Sequence, residues 1–524
     1  MMLNCIMICI FIISLFLSFR LSLCNLNRGN RNDKQIKTVD SMNKKFCFLL
    51  VVLCLGAVAS LEAQFRLSSL VSDGMVLQQQ TDVRLWGKAE AGKEIKAVAS
   101  WDATKSYVAR ADREGRWMVT LPTPEASFTP WEITFFEGKQ PLITIKDILV
   151  GEVWLAGGQS NMQMPLKGFP GCCVENGLDE AIAAHRMDGV RMFNVPMKQE
   201  MEPQEWCGGR WMNTSCFTDV MEFSATAWFF ASQLRNALHV PVGIVNIAYG
   251  GTRVEGWLPR EILETYPDVS LDPKEMEKLT DYHRPMLTYN AMFVPAHHYT
   301  VKGIIWYQGC SNVGAHAQYA DRLATMVGHW RKELDLGEIP FYMVEIAPYR
   351  YNDQTNATAG ALLREAQQEA AGIIPCSGLV GTNDLVDEFE QFNIHPRNKR
   401  AVGHRLCYMA LNRTYGYPNV CCEGPHFSKW QAKGNEAWVS FDRLDMGICR
   451  NYDIRGFEVA GEDRVFYPAD KVWLHWQTNE VVVSSEKVAA PVAVRYGFRD
   501  FLPGTLIGGN QLPAFPFRTD RWEE

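Results

Sequence analysis

The sequence lacks three features that mark common classes of protein. It has no excess of basic residues, since 52 Lys and Arg stand against 59 Asp and Glu, a net charge of −7. The first 63 residues carry +4, which leaves −11 for the rest and argues against a nucleic-acid-binding protein. No apolar run reaches the roughly 20 residues that span a bilayer, and no Cys or His cluster has the spacing of a zinc site. We therefore expect no nucleic-acid partner, no stable membrane insertion, no metal and no cofactor.

Two apolar runs open the chain, at residues 5–19 and 46–59, and the second resembles a secretory signal peptide. It follows Lys44 and Lys45 and ends in small residues. We predict that residues 1–63 are a leader, that Met42 is the true start, and that the mature protein is secreted or periplasmic. A membrane anchor built from the first run is the alternative.

The remaining sequence shows three successive patterns. Residues 64–144 alternate apolar and polar side chains in short runs, which is typical of an antiparallel β-sandwich. Residues 145–411 alternate strands with helices, which predicts a parallel sheet with helices on both faces, and residues 412–524 return to short β runs. The predicted fold class is an α/β core flanked by N- and C-terminal antiparallel β modules. The predicted core strands are residues 148–155, 242–248, 303–307, 341–346 and 378–381, and the predicted helices include residues 319–334, 361–371 and 396–411.

Candidate site residues follow the ends of these strands, because ligands of open α/β sheets bind beyond the carboxyl ends of the strands. Ser160 follows the first strand and is a candidate nucleophile. Gly250 and Gly251 follow the second, where bare backbone N–H groups approach a ligand closely. Asn312 follows the third and supplies a neutral amide donor, and His395 lies after the fifth, just before a helix.

Together these residues match the requirements of acyl transfer. That chemistry needs a nucleophile, an imidazole that takes its proton, and neutral donors for the tetrahedral oxyanion. Ser160 and His395 supply the first two. The N–H of Ser160, that of Gly250 or Gly251, and the Asn312 side chain supply the donors.

Four sequence blocks resemble those of the SGNH hydrolases and, more narrowly, those of the sialate O-acetylesterase family. They are Gly-Gln-Ser-Asn-Met at residues 158–162, the Gly-Gly pair at 250–251, Gly-Cys-Ser-Asn at 309–312 and Ile-His-Pro at 394–396. The resemblance extends over nearly everything from Phe65 onward. It implies an SGNH-hydrolase-like sheet and hydrolysis of O-acetyl esters on sugars, typically acetylated sialic acids, with Ser160 as nucleophile. The candidate substrate-binding residues are Gln159, Gln308 and Arg253.

Two positions depart from the pattern of this family. The family often has Glu where this chain has Cys310, a change expected to tune the site without abolishing it. Many relatives have an Asp two or three residues before the histidine, where this chain has Asn393 and Phe392. The candidates to orient the His395 imidazole are Asp387, which we favour, Asp384, Asn393 and a backbone carbonyl.

Two other functions remain open at the level of the sequence. An acetylxylan-type esterase would perform the same chemistry on another glycan. A carbohydrate-binding protein on an inactive esterase scaffold would retain glycans and release no acetate.

Overall fold

The three patterns of the sequence correspond to three groups of secondary structure. The computed structural model describes residues 65–444 and 446–522, and the predicted leader lies outside these residues. The predicted fold class, an α/β core between antiparallel β modules, is confirmed.

The N-terminal group contains eight strands that pair mainly antiparallel. The last of them, β8, is 19 residues long. Its first half pairs antiparallel with β7, and its second half pairs parallel with two strands of the α/β core. The boundary predicted at residue 144 therefore falls inside one continuous strand. The strands are β1 (Arg66–Leu67), β2 (Val76–Gln78), β3 (Asp82–Lys88), β4 (Glu94–Ala99), β5 (Tyr107–Arg110), β6 (Arg116–Pro122), β7 (Ser127–Glu137) and β8 (Gln140–Gly158).

The core sheet has the strand order β10-β9-β11-β8-β12-β13-β14, parallel except for β10. Strands β11 to β14 are buried along their whole length, as expected for parallel strands covered on both faces. Strands β9 and β10 were not predicted from the sequence. The strands after β8 are β9 (Val190–Asn194), β10 (Trp211–Asn213), β11 (Val242–Asn246), β12 (Gly303–Tyr307), β13 (Phe341–Val344) and β14 (Ser377–Val380).

Helices cover both faces of this sheet. Ile304 and Trp306 of β12 pack in the cluster that includes Trp330 of α7, whereas Ile305 and Tyr307 pack in the cluster of α4 and α9. This alternation is the period of two that a strand buried on both faces requires. The helices are α1 (Ser160–Gln163), α2 (Gly177–Ala184), α3 (Phe217–Met221), α4 (Ala225–Leu238), α5 (Arg260–Leu263), α6 (Pro273–Glu277), α7 (His316–Leu334), α8 (Ala359–Ile373) and α9 (Lys399–Arg413).

The predicted start of the last helix at Pro396 is wrong. Helix α9 begins at Lys399, because the Asn398 side chain accepts a hydrogen bond from the Ala401 N–H at 3.1 Å and caps the first turn. Pro396 belongs to the preceding loop, which leaves His395 outside the helix.

The C-terminal group forms two four-stranded antiparallel sheets, ordered β15-β16-β20-β19 and β18-β17-β21-β22. The helices in the described ranges include none long and apolar enough to cross a membrane. The ten cysteines in these ranges are all free thiols. The strands are β15 (His426–Lys433), β16 (Glu436–Asp442), β17 (Phe457–Ala460), β18 (Phe466–Pro468), β19 (Lys471–His475), β20 (Glu480–Ser484), β21 (Ala493–Tyr496) and β22 (Phe517–Arg518).

Candidate active site

Ser160 lies just beyond the carboxyl end of β8, between the ends of β11 and β12. The strand ends at Gly158, which has φ +130°, and a Cβ there would lie 2.2 Å from the Tyr307 carbonyl oxygen, so only glycine fits. Ser160 is half-buried and begins the four-residue helix α1. Neither its hydroxyl nor its N–H has a hydrogen-bond partner among the described residues, so both remain available to a substrate.

The two glycines after β11 lie beside Ser160. A Cβ on Gly250 would lie 3.5 Å from the Ser160 Cβ. The Gly250 N–H donates to Gln163 Oε1 at 2.8 Å, whereas the Gly251 N–H has no acceptor in the described part of the chain. Gly251 has φ +78°, and a Cβ there would lie 2.5 Å from the Tyr282 ring. Of the two predicted glycine donors, Gly251 is therefore the one with a free N–H.

The Asn312 amide is buried and held in one orientation. Its Oδ1 accepts from the Val254 N–H at 3.0 Å and from Gln308 Nε2 at 2.8 Å, and its Nδ2 donates to Glu255 Oε2 at 3.0 Å. Arg322 donates to the other oxygen of Glu255 at 2.6 Å. Because Nδ2 carries two hydrogens and Glu255 takes one, the second remains available as a fixed neutral donor.

A hydrogen-bonded contact connects the nucleophile turn to the histidine loop. Asn161, next to Ser160, donates from Nδ2 to the carbonyl of Ile394, next to His395, at 3.0 Å. Its Oδ1 accepts a hydrogen bond from Lys399 Nζ. No hydrogen bond joins Ser160 Oγ to the imidazole among the described residues, and in ligand-free enzymes this contact is commonly long until substrate binds.

The His395 imidazole is half-buried and uncharged at neutral pH. Its ring packs edge-on against Phe169, with the ring centroids 5.2 Å apart. The Asn393 side chain accepts from the backbone N–H of His395 at 3.0 Å and fixes the loop. Burial, and then the positive charge of Lys399, lower the pKa of His395 to about 4. The imidazole is thus in the form that can accept a proton.

The two aspartates predicted as partners of His395 have other partners. Asp387 pairs with Arg397 at 2.6 Å, and its side chain is 53% exposed. Asp384 is held by both Nη groups of Arg405, at 2.8 and 2.6 Å. Within the described ranges no carboxylate makes a hydrogen bond or ion pair with His395, so the predicted role of Asp387 receives no support from these contacts.

Two of the three candidate substrate-binding residues have buried side chains that hold the scaffold. Gln159 Oε1 accepts from the Gly309 N–H at 2.9 Å. Gln308 accepts from the Tyr319 hydroxyl at 3.0 Å and donates to the Asn312 amide. Arg253 is half-buried, and its Nε donates to the carbonyl of Ser311, next to Asn312, at 3.0 Å.

Four residues support the site in roles that were not predicted from the sequence. Asn161 and Lys399 connect the two catalytic loops, while Glu255 and Arg322 hold Asn312. Asn161 belongs to the matched block at residues 158–162 and Lys399 follows the block at 394–396 by three positions, but nothing in the local pattern marks a lysine as buried. Glu255 and Arg322 are 67 positions apart, so only the fold brings them together.

Comparisons with known proteins point to one family. Residues 150–412 match the family model described as carbohydrate esterase, sialic acid-specific acetylesterase. The chain is 26% identical to the sialate O-acetylesterase of Pongo abelii over 481 residues, covering 86% of this chain and 90% of the relative. It is 26% identical to that of Homo sapiens, covering 79% and 83%. The crystal structure of a carbohydrate acetylesterase from Xanthomonas citri superposes with a TM-score of 0.76 at 33% identity, covering 88% of this chain and 100% of that one.

Proposed function

The chain belongs to the family of carbohydrate esterases described as sialic acid-specific acetylesterases, and we propose that it hydrolyses O-acetyl esters of sialic acids through an acyl-enzyme on Ser160. The substrate is an acetylated sugar and the products are acetate and the free hydroxyl. The reaction is the hydrolysis of a carboxylic ester, the chemistry of this family.

In this mechanism Ser160 Oγ attacks the acetyl carbonyl while His395 takes its proton. The oxyanion that forms is stabilised by the N–H groups of Ser160 and Gly251 and by Asn312 Nδ2. The intermediate collapses, and His395 returns the proton to the departing sugar hydroxyl. Water then attacks the acetyl-enzyme by the same route and releases acetate.

The observation that carries the proposal is the contact between the two catalytic loops. Asn161 and Ile394, the immediate neighbours of Ser160 and His395, share a hydrogen bond of 3.0 Å although they are 233 positions apart in the sequence. Gly251 and the Asn312 amide lie at the ends of the strands on either side of β8. The residues that we propose as nucleophile, base and oxyanion donors therefore lie on loops at one edge of the sheet.

The electrostatics of His395 support its role as base without a carboxylate partner. A pKa of about 4 keeps the imidazole neutral above about pH 5. A carboxylate in a catalytic triad orients the imidazole and stabilises its charged form but does not itself react. Here Asn393 and Asn161 fix the backbone of the histidine loop, and the Phe169 ring packs against the imidazole.

Ser160→Ala tests the mechanism. We expect acetate release from a model acetyl ester to fall by at least about 10³-fold, as for the loss of a serine nucleophile. Ser377→Ala is the matched control, because Ser377 lies at the opposite end of the sheet, where its hydroxyl bonds to Ala371 O at 3.0 Å. Retention of activity near the parent rate in Ser160→Ala would show that Ser160 is not the nucleophile.

Parallel assays on O-acetylated sialic acid and on acetylated xylan test the substrate. Faster release from the sialic acid supports the proposal, and faster release from xylan supports the acetylxylan-type alternative. Glycan retention without acetate release from either would indicate a binding protein. We also propose that the protein is exported, on the basis of the signal-like segment at residues 42–63.

A further inference from the structure

Arg253 is a cation without a carboxylate partner at the rim of the candidate active site. It follows the Gly250 and Gly251 turn, and its Nε donates to the Ser311 carbonyl at 3.0 Å. No carboxylate oxygen of the described residues lies within 4.0 Å of its guanidinium. The side chain is half-buried, which limits the water that screens its charge.

Five arginines on the elements around the site have acidic partners. Glu255, two positions from Arg253, is already engaged by Arg322 and by the Asn312 amide. The charge of Arg253, unlike the charges of these five, is not paired with a carboxylate of the described residues. The paired arginines are Arg284 with Asp281, Arg322 with Glu255 and Asp268, Arg397 with Asp387, Arg400 with Glu180, and Arg405 with Asp384.

The anchoring of Arg253 leaves its two Nη groups available. They have no hydrogen-bond acceptor among the residues that the structure describes, whereas Nε is fixed on Ser311. A guanidinium held in this way presents a planar pair of donors, the geometry that binds a carboxylate in a bidentate manner. The neighbouring His283 adds no charge at neutral pH, because burial and then the charge of Arg253 lower its pKa.

Arg253 also lies close to the reacting groups. It connects the turn of Gly250 and Gly251, which contacts Ser160, to the turn that carries Asn312. Arg253 therefore belongs to the same cluster of loops as Ser160 and Asn312, where a charged group of the acetylated sugar can bind. Sialic acids carry a carboxylate on the sugar itself, whereas acetylated xylose units are neutral.

We propose that Arg253 binds the carboxylate of the sugar substrate and thereby determines the preference for acetylated sugar acids over neutral acetylated sugars. This inference rests on the proposed esterase function of the same site. It assigns to Arg253 substrate binding and no part in proton transfer or in oxyanion stabilisation.

The test compares O-acetylated N-acetylneuraminic acid with its methyl ester, which removes the carboxylate charge and keeps the acetyl group. We expect the parent enzyme to prefer the free acid by about 10- to 100-fold in kcat/KM, the range for a hydrogen-bonded charge pair. Arg253→Gln should remove this preference mainly through KM. Arg253→Lys should retain part of it, because lysine keeps the charge and loses the paired donors.

p-Nitrophenyl acetate reports the catalytic machinery independently of the sugar. Arg253→Gln should slow its hydrolysis much less than that of the free acid, and the control Arg284→Gln should leave the acid preference intact. If Arg253→Gln slows hydrolysis of the free acid, its methyl ester and p-nitrophenyl acetate equally, Arg253 only supports the turn at Ser311 and the inference is wrong. It is equally wrong if the parent shows no preference for the free acid. Failure of the proposed function is distinct, since Ser160→Ala would then retain activity on p-nitrophenyl acetate.

Discussion

Replacement of Lys399 by methionine should make the protein more stable at pH 6 and less active. Lys399 is buried and makes no ion pair among the described residues, and its ammonium donates only to Asn161. Burial lowers its pKa from 10.5 to about 7, which corresponds to about 5 kcal/mol of unfavourable charge burial. Methionine removes this cost of burying a charge. It also leaves the Asn161 oxygen without its hydrogen-bond donor, at a cost of about 1–3 kcal/mol. The net expected stabilisation is about 2–4 kcal/mol.

The effect of Lys399→Met depends on pH in a defined direction. Below about pH 7 the amine is protonated in both the folded and the unfolded parent, so the full penalty for burying its charge is present. Between about pH 7 and 10.5 only the unfolded parent is protonated, and the folded parent gains stability as the pH rises. The advantage of the variant should therefore shrink across this window and reverse between about pH 8 and 10, where the remaining cost of burying the charge equals the about 1–3 kcal/mol lost at Asn161.

Urea unfolding of parent and variant at pH 6 and at pH 9.5 measures this difference. Lys332→Met is the control, because Lys332 is exposed and should change stability by no more than about 0.5 kcal/mol. The activity of Lys399→Met should fall at least about tenfold, the equivalent of one lost hydrogen bond in the transition state. A variant that is less stable than the parent by the same amount at both pH values would refute the idea that Lys399 is a buried charge.

Two further predictions concern the histidine. Asp387→Asn should leave kcat/KM at pH 7 within about threefold of the parent, because this carboxylate binds Arg397, whereas loss of an orienting triad acid reduces the rate about 10⁴-fold. The second is a pH profile of kcat/KM that rises through about pH 4 and is level from about pH 5 to 8, because a base with a lowered pKa is already neutral there. If kcat/KM measured on a neutral ester instead fell as the pH dropped through about 6.5, this result would contradict the burial of His395.

The sequence predicts the architecture well where the pattern is local. Strand β12, predicted at residues 303–307, matches the observed bounds, and the helix predicted at residues 319–334 is observed as His316–Leu334. The missed strand β9 is a five-residue run whose parallel partner, β11, is about 50 positions away. Such short buried strands acquire their identity from pairing and not from periodicity.

The sequence is less informative about the side chains that support the site. Ser160, Gly251 and Asn312 could be chosen because glycine and amide residues at strand ends have a direct physical use. The partner of Asp387 could not be predicted, because both the Arg397 guanidinium and the imidazole could bind the same carboxylate. In the folded loop it is Arg397 that binds. The burial of Lys399 could not be predicted either, because it depends on packing between α9 and the turn after β8.

The continuity of β8 has a consequence for how this protein can be divided. Residues that pair with the N-terminal β module and residues that lead to Ser160 belong to one uninterrupted segment of backbone, Gln140–Gly158. The N-terminal β module therefore cannot be exchanged or truncated at residue 144 as if it were an independent domain. A truncation at that point would cut the strand that positions Ser160. Chimeras should therefore be joined before the start of β7.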